Sequence, residues 1–535
     1  MTGPWNCVRR FRRLLASVPA LMPRLTDDGE ENHMNTAALI SLGAYFVLMM
    51  LIGLYAYRTS TSDVSEYMLG GRHLHPAVGA LSAGASDMSG WMLMGLPGAI
   101  YVSGFGAAWI AVGLVIGAYL NYRLVAPRLR VYTEMANDSI TIPEFFENRF
   151  MDTSRALRVL SSVVIVVFFT LYTSAGVVAG GKLFEASFGL DYSTGLFLTA
   201  GVVVAYTMFG GFLAVSLTDF VQGCIMFIAL ILVPIVTLSQ LGGIGETAEA
   251  VRSVDPSLLD WMRGATVFGI ISSLSWGLGY FGQPHIIVRF MAIRSLKSIA
   301  TARYIGMAWM IITVIGAVAT GIVGLAFVTQ TDAVLADPET VFILLSQVLF
   351  HPLISGFLLA AILAAIMSTI SSQLLVSSSS LTEDFYKAFL RKKASQKELV
   401  MVGRLSVLAV SLVAIALAFD RSSNILSLVS NAWAGFGAAF GPIVILSLFW
   451  RGVTRDGALA GMVVGAVTVL FWLYAPITID GQSLSSVLYE IVPGFALSFV
   501  TTLVVSMVGR PAQPQMQAQF DDVMDAMSAE KQPFL

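Results

Sequence analysis

The stretch LSAGASDMSGWMLMGLPG, residues Leu81–Gly98, decides the fold of this 535-residue chain. It is apolar enough for a membrane helix, yet glycines, a proline and small polar residues interrupt it, and Asp87 lies within it. A second stretch, SWGLGYFGQP at Ser275–Pro284, is interrupted in the same way. Backbone without helical hydrogen bonds persists at membrane depth only where protein buries it or it lines a cavity. Two such stretches in corresponding halves of a chain point to the binding site of a transporter.

The remainder of the chain has the composition of a polytopic helical membrane protein. Hydrophobic residues make up 56% of it and charged residues 12%, and the mean hydropathy is +0.78. Apolar stretches of about 20 residues, the length that crosses a bilayer, recur from residue 36 to residue 509. We therefore predict an all-α fold with about thirteen transmembrane helices in a lipid bilayer.

The basic residues predict the orientation of these helices. If the first span begins outside and the spans alternate, all but 4 of the Lys and Arg residues after residue 35 fall inside. Cytoplasmic loops carry such an excess. We expect a multi-pass protein of the bacterial cytoplasmic membrane, with a periplasmic N terminus and a cytoplasmic C terminus. Residues 1–35 carry five arginines that break the pattern, and we interpret them as a disordered extension or as a start codon assigned too early.

The order of the spans predicts an internal duplication within a transmembrane domain at residues 36–508. The interrupted stretches belong to spans two and seven, so they cross in opposite directions. This spacing favours inverted repeats of five helices, at about residues 76–240 and 262–450. We also predict an amphipathic cytoplasmic helix in LTEDFYKAFLRKKASQKEL and a disordered acidic tail at residues 509–535.

Small oxygen-bearing residues on two spans suggest an ion site. Sodium exchanges its hydration shell for main-chain carbonyls and hydroxyls, which unwound helices supply. Span two is interrupted within Ala85–Gly90, and span nine carries Ala365, Ser368 and Thr369 at positions that share one helix face. The alternative is that these hydroxyls bond back to the preceding turn of their own helix.

Three charged residues have a functional and a structural interpretation each. Asp87 at membrane depth is an ion ligand, a proton carrier, a group that orients the ion site, or a cap for free N–H groups at the helix break. Asp219 lies on a cation pathway or caps a helix. Arg72, after Gly70-Gly71, belongs to a gate or is an inner-surface anchor.

Aromatic residues on or near the interrupted spans suggest a pocket for an organic substrate. Trp91, Tyr172, Trp276 and Tyr280 lie at mid-span beside glycines, whereas membrane aromatics more often form interfacial belts or pack in the core. Free N–H groups at the N terminus of a half-helix suit a substrate carboxylate. The two cysteines are far apart and the five histidines lack ligand spacing, so we expect no disulfide framework and no structural metal.

The motifs YMLGGR, LSAGASDMSGW, WGLGYFGQPH, ILAAIMSTISSQLL and TEDFYKAFLRKKASQKELV together resemble the sodium/solute symporter family, in particular its bacterial sodium/proline symporters. The similarity runs from about residue 36 to residue 508. It implies a LeuT-type core of five-plus-five inverted repeats, and one co-transported sodium ion per L-proline. Residues 1–33 have no counterpart in the family pattern.

The resemblance also implies roles for individual residues. The sodium ligands would be the carbonyls of Ala85, Met88 and Ala365 and the hydroxyls of Ser368 and Thr369. The ion-site neighbours or pathway residues would be Arg72, Ser86, Asp87, Ser89, Gly90 and Asp219. The residues linked to proline binding would be Trp91, Tyr172, Trp276, Tyr280 and Pro284.

The sequence leaves rival functions open. Asp87 could make the protein proton-coupled, the solute could be another small carboxylate or a neutral molecule, and a non-transporting proline sensor or a passive channel could use the same features. An enzyme is not expected, since no nucleophile–base pair or metal-ligand cluster lies at membrane depth. We expect no nucleic-acid partner, and a monomeric functional unit because all inferred ligands come from one chain.

Overall fold

The computed structural model describes residues 36–59, 64–263, 265–331, 333–419 and 425–531. These residues are almost all helical, and the strands among them form one two-residue antiparallel hairpin, β1 (Thr478–Ile479) with β2 (Gln482–Ser483). The interpretation of residues 1–35 falls outside the described residues.

The described residues of the first half form ten α-helices. They are α1 (Thr36–Thr59), α2 (Val64–Leu69), α3 (Pro76–Asp87), α4 (Leu96–Ser103), α5 (Trp109–Leu120), α6 (Ala126–Met135), α7 (Ile142–Arg149), α8 (Ala156–Phe188), α9 (Tyr192–Gln240) and α10 (Ile244–Val254). Short 3₁₀ or π segments join or extend them at Gly70–Arg72, Trp91–Gly95, Gly104–Ala108, Asn121–Val125 and Pro256–Leu259.

The described residues of the second half form eleven more. They are α11 (Val267–Leu274), α12 (Pro284–Ala292), α13 (Leu296–Thr331), α14 (Val341–Leu349), α15 (Pro352–Ser379), α16 (Gln396–Leu417), α17 (Ile425–Phe449), α18 (Arg455–Tyr474), α19 (Leu484–Val487), α20 (Ile491–Val508) and α21 (Pro514–Lys531). The 3₁₀ or π segments here are Ser275–Gly282, Pro338–Thr340 and Ser380–Leu390.

The helices account for the thirteen predicted crossings. Within the described residues, 10 helical stretches are long and apolar enough to cross a membrane. Two of them, Trp91–Met135 and Tyr192–Gln240, are 45 and 49 residues long, about twice what one crossing needs. Each bends at a glycine with positive φ, Gly104 at 63° and Gly211 at 59°. Each of these two stretches therefore supplies two crossings, which raises the number from ten to twelve. The interrupted stretch from α11 to α12 supplies the thirteenth.

Both predicted interruptions are present. Helix α3 ends at Asp87, the chain leaves helical geometry at Met88 (φ −84°, ψ 76°), and a π-helical turn at Trp91–Gly95 restores it. In the second segment, α11 passes into an eight-residue 3₁₀ helix, Ser275–Gly282, and Gln283 is extended before α12 begins. We call residues 76–103 the first broken segment and residues 267–292 the second.

The two broken segments run in opposite directions, as expected of inverted repeats. The N-terminal end of α3 meets the C-terminal end of α12, where Leu74 N donates to Ala292 O at 3.1 Å and Arg294 N donates to Leu74 O at 3.3 Å. This end of the molecule also holds ion pairs of the predicted inner loops, among them Arg455–Asp152. We call it the basic end, and the other end the opposite end.

Two sequence predictions near the basic end are wrong. The stretch LTEDFYKAFLRKKASQKEL does not form one helix, because residues 380–390 extend α15, the chain turns, and α16 begins at Gln396. The tail is not disordered up to Lys531, because α21 packs against the body through Met516, Phe520 and Val523, all buried. Arg451 pairs with Asp521 on α21 at 3.2 Å.

Candidate functional site

The proposed ion ligands of the first broken segment and of α15 lie against each other. The Ser368 hydroxyl donates to Ala85 O at 2.7 Å, across the two helices, and both residues are fully buried. The hydroxyls of Ser368 and Thr369 lie 3.1 and 3.2 Å from Ala365 O. Four of the five predicted ligand oxygens therefore cluster at one point, where α3 is about to unwind.

The fifth predicted ligand and its neighbours form the break itself. Met88 is fully buried and its sulfur accepts a hydrogen bond from Thr313, and Ser89 is 3% exposed. A Cβ added to Gly90 would lie 3.1 Å from Ile366 Cγ1, so the break passes close to α15. Ser86 bonds back to Ala83 O at 3.1 Å and does not reach α15 through its hydroxyl.

The structure bears on the back-bonding alternative for α15. Ser368 and Thr369 do bond back to Ala365, as membrane-helix hydroxyls commonly do. The additional bond from Ser368 to Ala85 joins two helices, which back-bonding does not explain. The hydroxyls thus bond within their own helix, and that of Ser368 also bonds to the first broken segment.

Asp87 is buried at the end of α3, and its side chain is 2% exposed. One carboxylate oxygen accepts a hydrogen bond from the Tyr280 hydroxyl of the second broken segment. The other oxygen has no partner among the described residues. The carboxylate accepts no backbone N–H in this part of the chain, so the interpretation of Asp87 as a cap is wrong. A cavity of about 20 Å³, room for roughly one water, lies beside it.

Aromatic rings of the second broken segment form a stack toward the opposite end. Trp276 stacks on Tyr489 at 5.4 Å between centroids and on Trp433 at 6.5 Å, and Trp91 lies 6.4 Å from Trp276. Tyr280 meets Trp433 edge to face at 5.2 Å. Above the stack is a cavity of about 520 Å³ with a polar lining that includes Ser272, Ser430 and Glu490.

The other two predicted substrate residues are Tyr172 and Pro284. The Tyr172 ring lies 6.3 Å from that of His285, and Tyr172 is close enough to Asp87 and Tyr280 to interact with both electrostatically. Pro284 lines a small cavity with Met68 and Phe212, near the basic end. The structure therefore brings Trp91, Trp276 and Tyr280 together in a row with Tyr172 beside them, and places Pro284 apart from them at the first turn of α12.

Asp219 forms a fully buried ion pair with Arg289, at 3.2 Å. It lies within α9 and not at a helix start, so the capping interpretation is wrong. Ser82 donates to Asp219 at 2.7 Å, and Arg289 donates to Ser372 at 2.5 Å. Ser82 and Ser372 are each about one turn from proposed sodium ligands, so the pair lies directly beside the ion site. Arg289 is among the basic residues that the charge distribution predicts in inner loops, and that prediction is wrong, because Arg289 is fully buried within α12.

Arg72 holds the basic end together. It pairs with Asp138 at 2.8 Å and donates to Ser139 O at 2.7 Å, Met291 O at 3.0 Å and Thr133 Oγ1 at 3.2 Å. Burial lowers the pKa of its guanidinium, and the Asp138 carboxylate opposes that shift. A surface anchor would remain solvated, whereas Arg72 is 9% exposed and joins the chain before α3 to the end of α6 and to the second broken segment. The geometry is that of a closed contact at this end.

Sequence reasoning missed several residues of the site. Trp433, Tyr489 and Arg289 come from an unbroken helix, a loop and a stretch assigned to the surface, and only the tertiary fold brings them to the breaks. Asn121, whose amide donates to Tyr280 O at 3.0 Å, was also missed. The one sequence signal for Asn121 was a polar residue within an apolar stretch.

Comparison with known proteins gives consistent relatives. Residues 67–465 match the model of the sodium:solute symporter family. The chain is 58% identical over 481 residues to the osmoregulated proline transporter OpuE of Bacillus subtilis, covering 90% of this chain and 96% of that protein. It is 60% identical over 480 residues to the high-affinity proline transporter PutP of the same organism, covering 90% and 100%. Identity to the sodium/proline symporter of Staphylococcus aureus is 55% over 496 residues, covering 92% and 96%.

Solved structures resemble this one in fold. A Na⁺-coupled sialic acid symporter in an outward-open state superimposes with a TM-score of 0.76 at 20% identity, covering 90% of this chain and 99% of that one. Mhp1, a nucleobase-cation-symport-1 family transporter in a closed conformation, gives a TM-score of 0.53 at 13% identity, covering 87% and 99%. These likenesses confirm the predicted all-α, LeuT-type architecture.

Proposed function

The chain belongs to the sodium:solute symporter family, and from that membership we propose that it couples inward sodium movement to uptake of L-proline by alternating access. Relatives that are more than half identical over nearly their whole length are named proline transporters and sodium/proline symporters. The observation that carries the proposal is the junction of Ser368 with Ala85, which puts hydroxyl and carbonyl oxygens from two helices at one break. Sodium is cargo here, not a resident cofactor.

Sodium would be held by the carbonyls of Ala85, Met88 and Ala365 and the hydroxyls of Ser368 and Thr369. Oxygen-only ligation suits a hard cation, and the unwound backbone leaves carbonyls free to turn toward it. Binding there would tie α3 to α15. Because α3 continues into the break at Asp87, the ion would also fix the Asp87–Tyr280 contact between the two broken segments.

Proline would lie against Trp91, Tyr172, Trp276, Tyr280 and Pro284. Its pyrrolidine ring is apolar on its faces and carries a cationic nitrogen, and aromatic faces accommodate both features. Asp87 orients Tyr280 and supplies negative charge beside the ion site. Ser86, Ser89 and Gly90 shape the break. Arg72 closes the basic end, and Asp219 with Arg289 lines the way from the ion site toward that end.

The energetics of one sodium ion suffice for accumulation. Each sodium that enters a cell at a potential of −100 mV releases about 2.3 kcal/mol, before its concentration gradient is counted. A factor of ten in concentration corresponds to about 1.4 kcal/mol, so a neutral zwitterion could be concentrated well over tenfold.

The cellular setting follows from the same premise. The protein would work as a monomer in the cytoplasmic membrane of a bacterium, with the basic end in the cytoplasm, and it would carry out no covalent chemistry. The contacts of Arg72 at that end and the 520 Å³ cavity at the other support the proposal of a transporter that is closed to the inside. We also propose that the transmembrane domain extends from about residue 36 to about residue 508.

Uptake of radiolabelled L-proline into proteoliposomes tests the proposal. An inward sodium gradient should drive saturable accumulation, and replacement of sodium by potassium should abolish it. Sodium-driven uptake of a different solute would retain the ion site and discard proline. Failure of well-folded protein to accumulate any solute tested would contradict symport and favour a sensor or a channel.

A further inference from the structure

Three buried polar side chains form a linked group beside α15, and two of them contact Met367, the residue before Ser368. The Tyr206 hydroxyl donates to Met367 O at 3.1 Å, and the Tyr45 hydroxyl contacts Met367 Sδ at 3.6 Å. The Gln222 amide donates to the Tyr45 hydroxyl at 2.8 Å. Tyr45, Tyr206 and Gln222 are 5%, 1% and 0% exposed, and we call them the rear clamp.

The rear clamp and the broken segment contact different sides of α15. Successive residues of an α-helix are rotated by about 100°, so Met367 points away from the face shared by Ala365 and Thr369. Ser368 on the front reaches Ala85, while Met367 is held from the rear. A small rotation of α15 would move the ligand hydroxyls relative to Ala85, and the clamp opposes such a rotation.

Helix α1 supplies Tyr45 although it lies outside the two repeats. A Cβ added to Gly53 would lie 2.9 Å from Tyr206 Cβ, and one added to Gly356 of α15 would lie 2.5 Å from Ala38 O. Ser41 donates to Leu353 O at 2.8 Å. Such close contacts leave α1 little freedom to move against α15. The additional helix therefore presents Tyr45 as a fixed donor.

We propose that the rear clamp positions Ser368 and Thr369 for sodium, and so sets the affinity for sodium and its selection over lithium. The clamp residues touch neither ion nor proline and act through α15. Lithium is the smaller ion and needs shorter ligand distances, so a change in the orientation of α15 would alter the ratio of the two affinities. This inference rests on the proposed function, because it takes the cluster at Ser368 to be the sodium site.

Binding of ²²Na⁺ to purified protein without proline is the direct test. Tyr206→Phe removes the hydrogen bond to Met367 O, and Tyr45→Phe removes both the contact with Met367 Sδ and the bond from Gln222. Both variants keep the ring, and we expect each to weaken sodium binding about three- to tenfold. The sodium-to-lithium affinity ratio should change as well, while the KM for proline at saturating sodium stays within about twofold. Tyr55→Phe, on the exposed side of the same helix α1, is the matched control and should leave sodium binding unchanged.

One further variant, alone and combined with Tyr45→Phe, distinguishes a positioning role of the rear clamp from a general contribution to stability. Met367→Leu keeps the volume and removes the sulfur acceptor but leaves the bond between Gln222 and Tyr45, so it should cause part of the effect of Tyr45→Phe. The two changes together should be less than additive. Clamp variants that lower the amount of folded protein but keep wild-type sodium affinity and ion ratio would overturn the inference. Wild-type protein that binds no sodium would instead contradict the proposed function.

Discussion

The two broken segments share a backbone plan and differ in chemistry. Both interrupt a membrane-spanning stretch and they run in opposite directions, yet the first unwinds over about three residues and the second narrows into an eight-residue 3₁₀ helix. The first presents the Ala85 carbonyl to α15 and the Asp87 carboxylate to Tyr280, whereas the second presents aromatic rings to α17. The two segments thus share the break but not the side chains, and under the proposed function the first would serve mainly the ion and the second mainly the solute.

Two tryptophans, one packed against each broken segment, differ in the same way. In the first segment, a Cβ on Gly84 would lie 2.7 Å from the Trp309 ring, and in the second, a Cβ on Gly279 would lie 1.9 Å from Trp433 Nε1. Trp309 donates to Gly223 O and Trp433 to Trp276 O, both at 2.8 Å. Each break therefore packs against a tryptophan fixed by a hydrogen bond, although only Trp433 belongs to the aromatic stack.

Asp87→Asn should have the largest effect of any single change at the breaks. The substitution removes the one carboxylate of the first segment's break, so a bound sodium ion would lose the buried negative charge beside it. We expect the affinity for sodium to fall at least about a hundredfold, or several kcal/mol. Sodium-driven proline uptake should fall by that factor with normal amounts of protein in the membrane. Asp480→Asn, at an exposed turn with positive φ that asparagine tolerates, is the control. Full sodium-driven uptake by Asp87→Asn would place the coupling elsewhere.

Tyr280→Phe should have the next largest effect, because it breaks the hydrogen bond to Asp87 that joins the two segments and keeps the ring against Trp433. A hydrogen bond to a charged group contributes about 1.5–3 kcal/mol, so an effect of about thirtyfold is expected. The half-saturating concentrations of sodium and proline should both rise, since the bond belongs to both sites. In the Asp87→Asn protein, the further change Tyr280→Phe should cause little additional loss of uptake. Fully additive losses would show that the two residues act separately.

Ser368→Ala tests the ion side alone, and we expect sodium affinity to fall about tenfold with a small change in the KM for proline at saturating sodium. The reason is loss of one ligand oxygen and of the bond to Ala85. Ser411→Ala is the matched control, because Ser411 is a buried helical serine that bonds back to Val407 O at 2.7 Å. Equal effects of the two variants would mean that Ser368 only supports its helix.

The sequence predicted the backbone of this site better than its surroundings. Glycines and small polar residues within apolar stretches are a local signal, so both breaks and the face with Ala365, Ser368 and Thr369 could be read directly. Trp433 and Tyr489 carry no local signal, and Arg289 resembles any loop arginine until the fold buries it with Asp219. Helix α21 did carry a signal, the helical spacing of Met516, Phe520, Val523 and Met527, which its acidic composition obscured.

The smallest predicted effect is also the sharpest test of the division between the segments. Trp433→Phe keeps a ring beside Trp276 and removes the bond to Trp276 O, so the KM for proline should rise about threefold while ²²Na⁺ binding is unchanged. Trp309→Phe removes an equal bond behind the first segment and should leave the KM for proline within about twofold at saturating sodium. If both variants changed sodium and proline binding alike, the breaks would respond as one unit, because a shift in either segment would pass to the other through Asp87 and Tyr280.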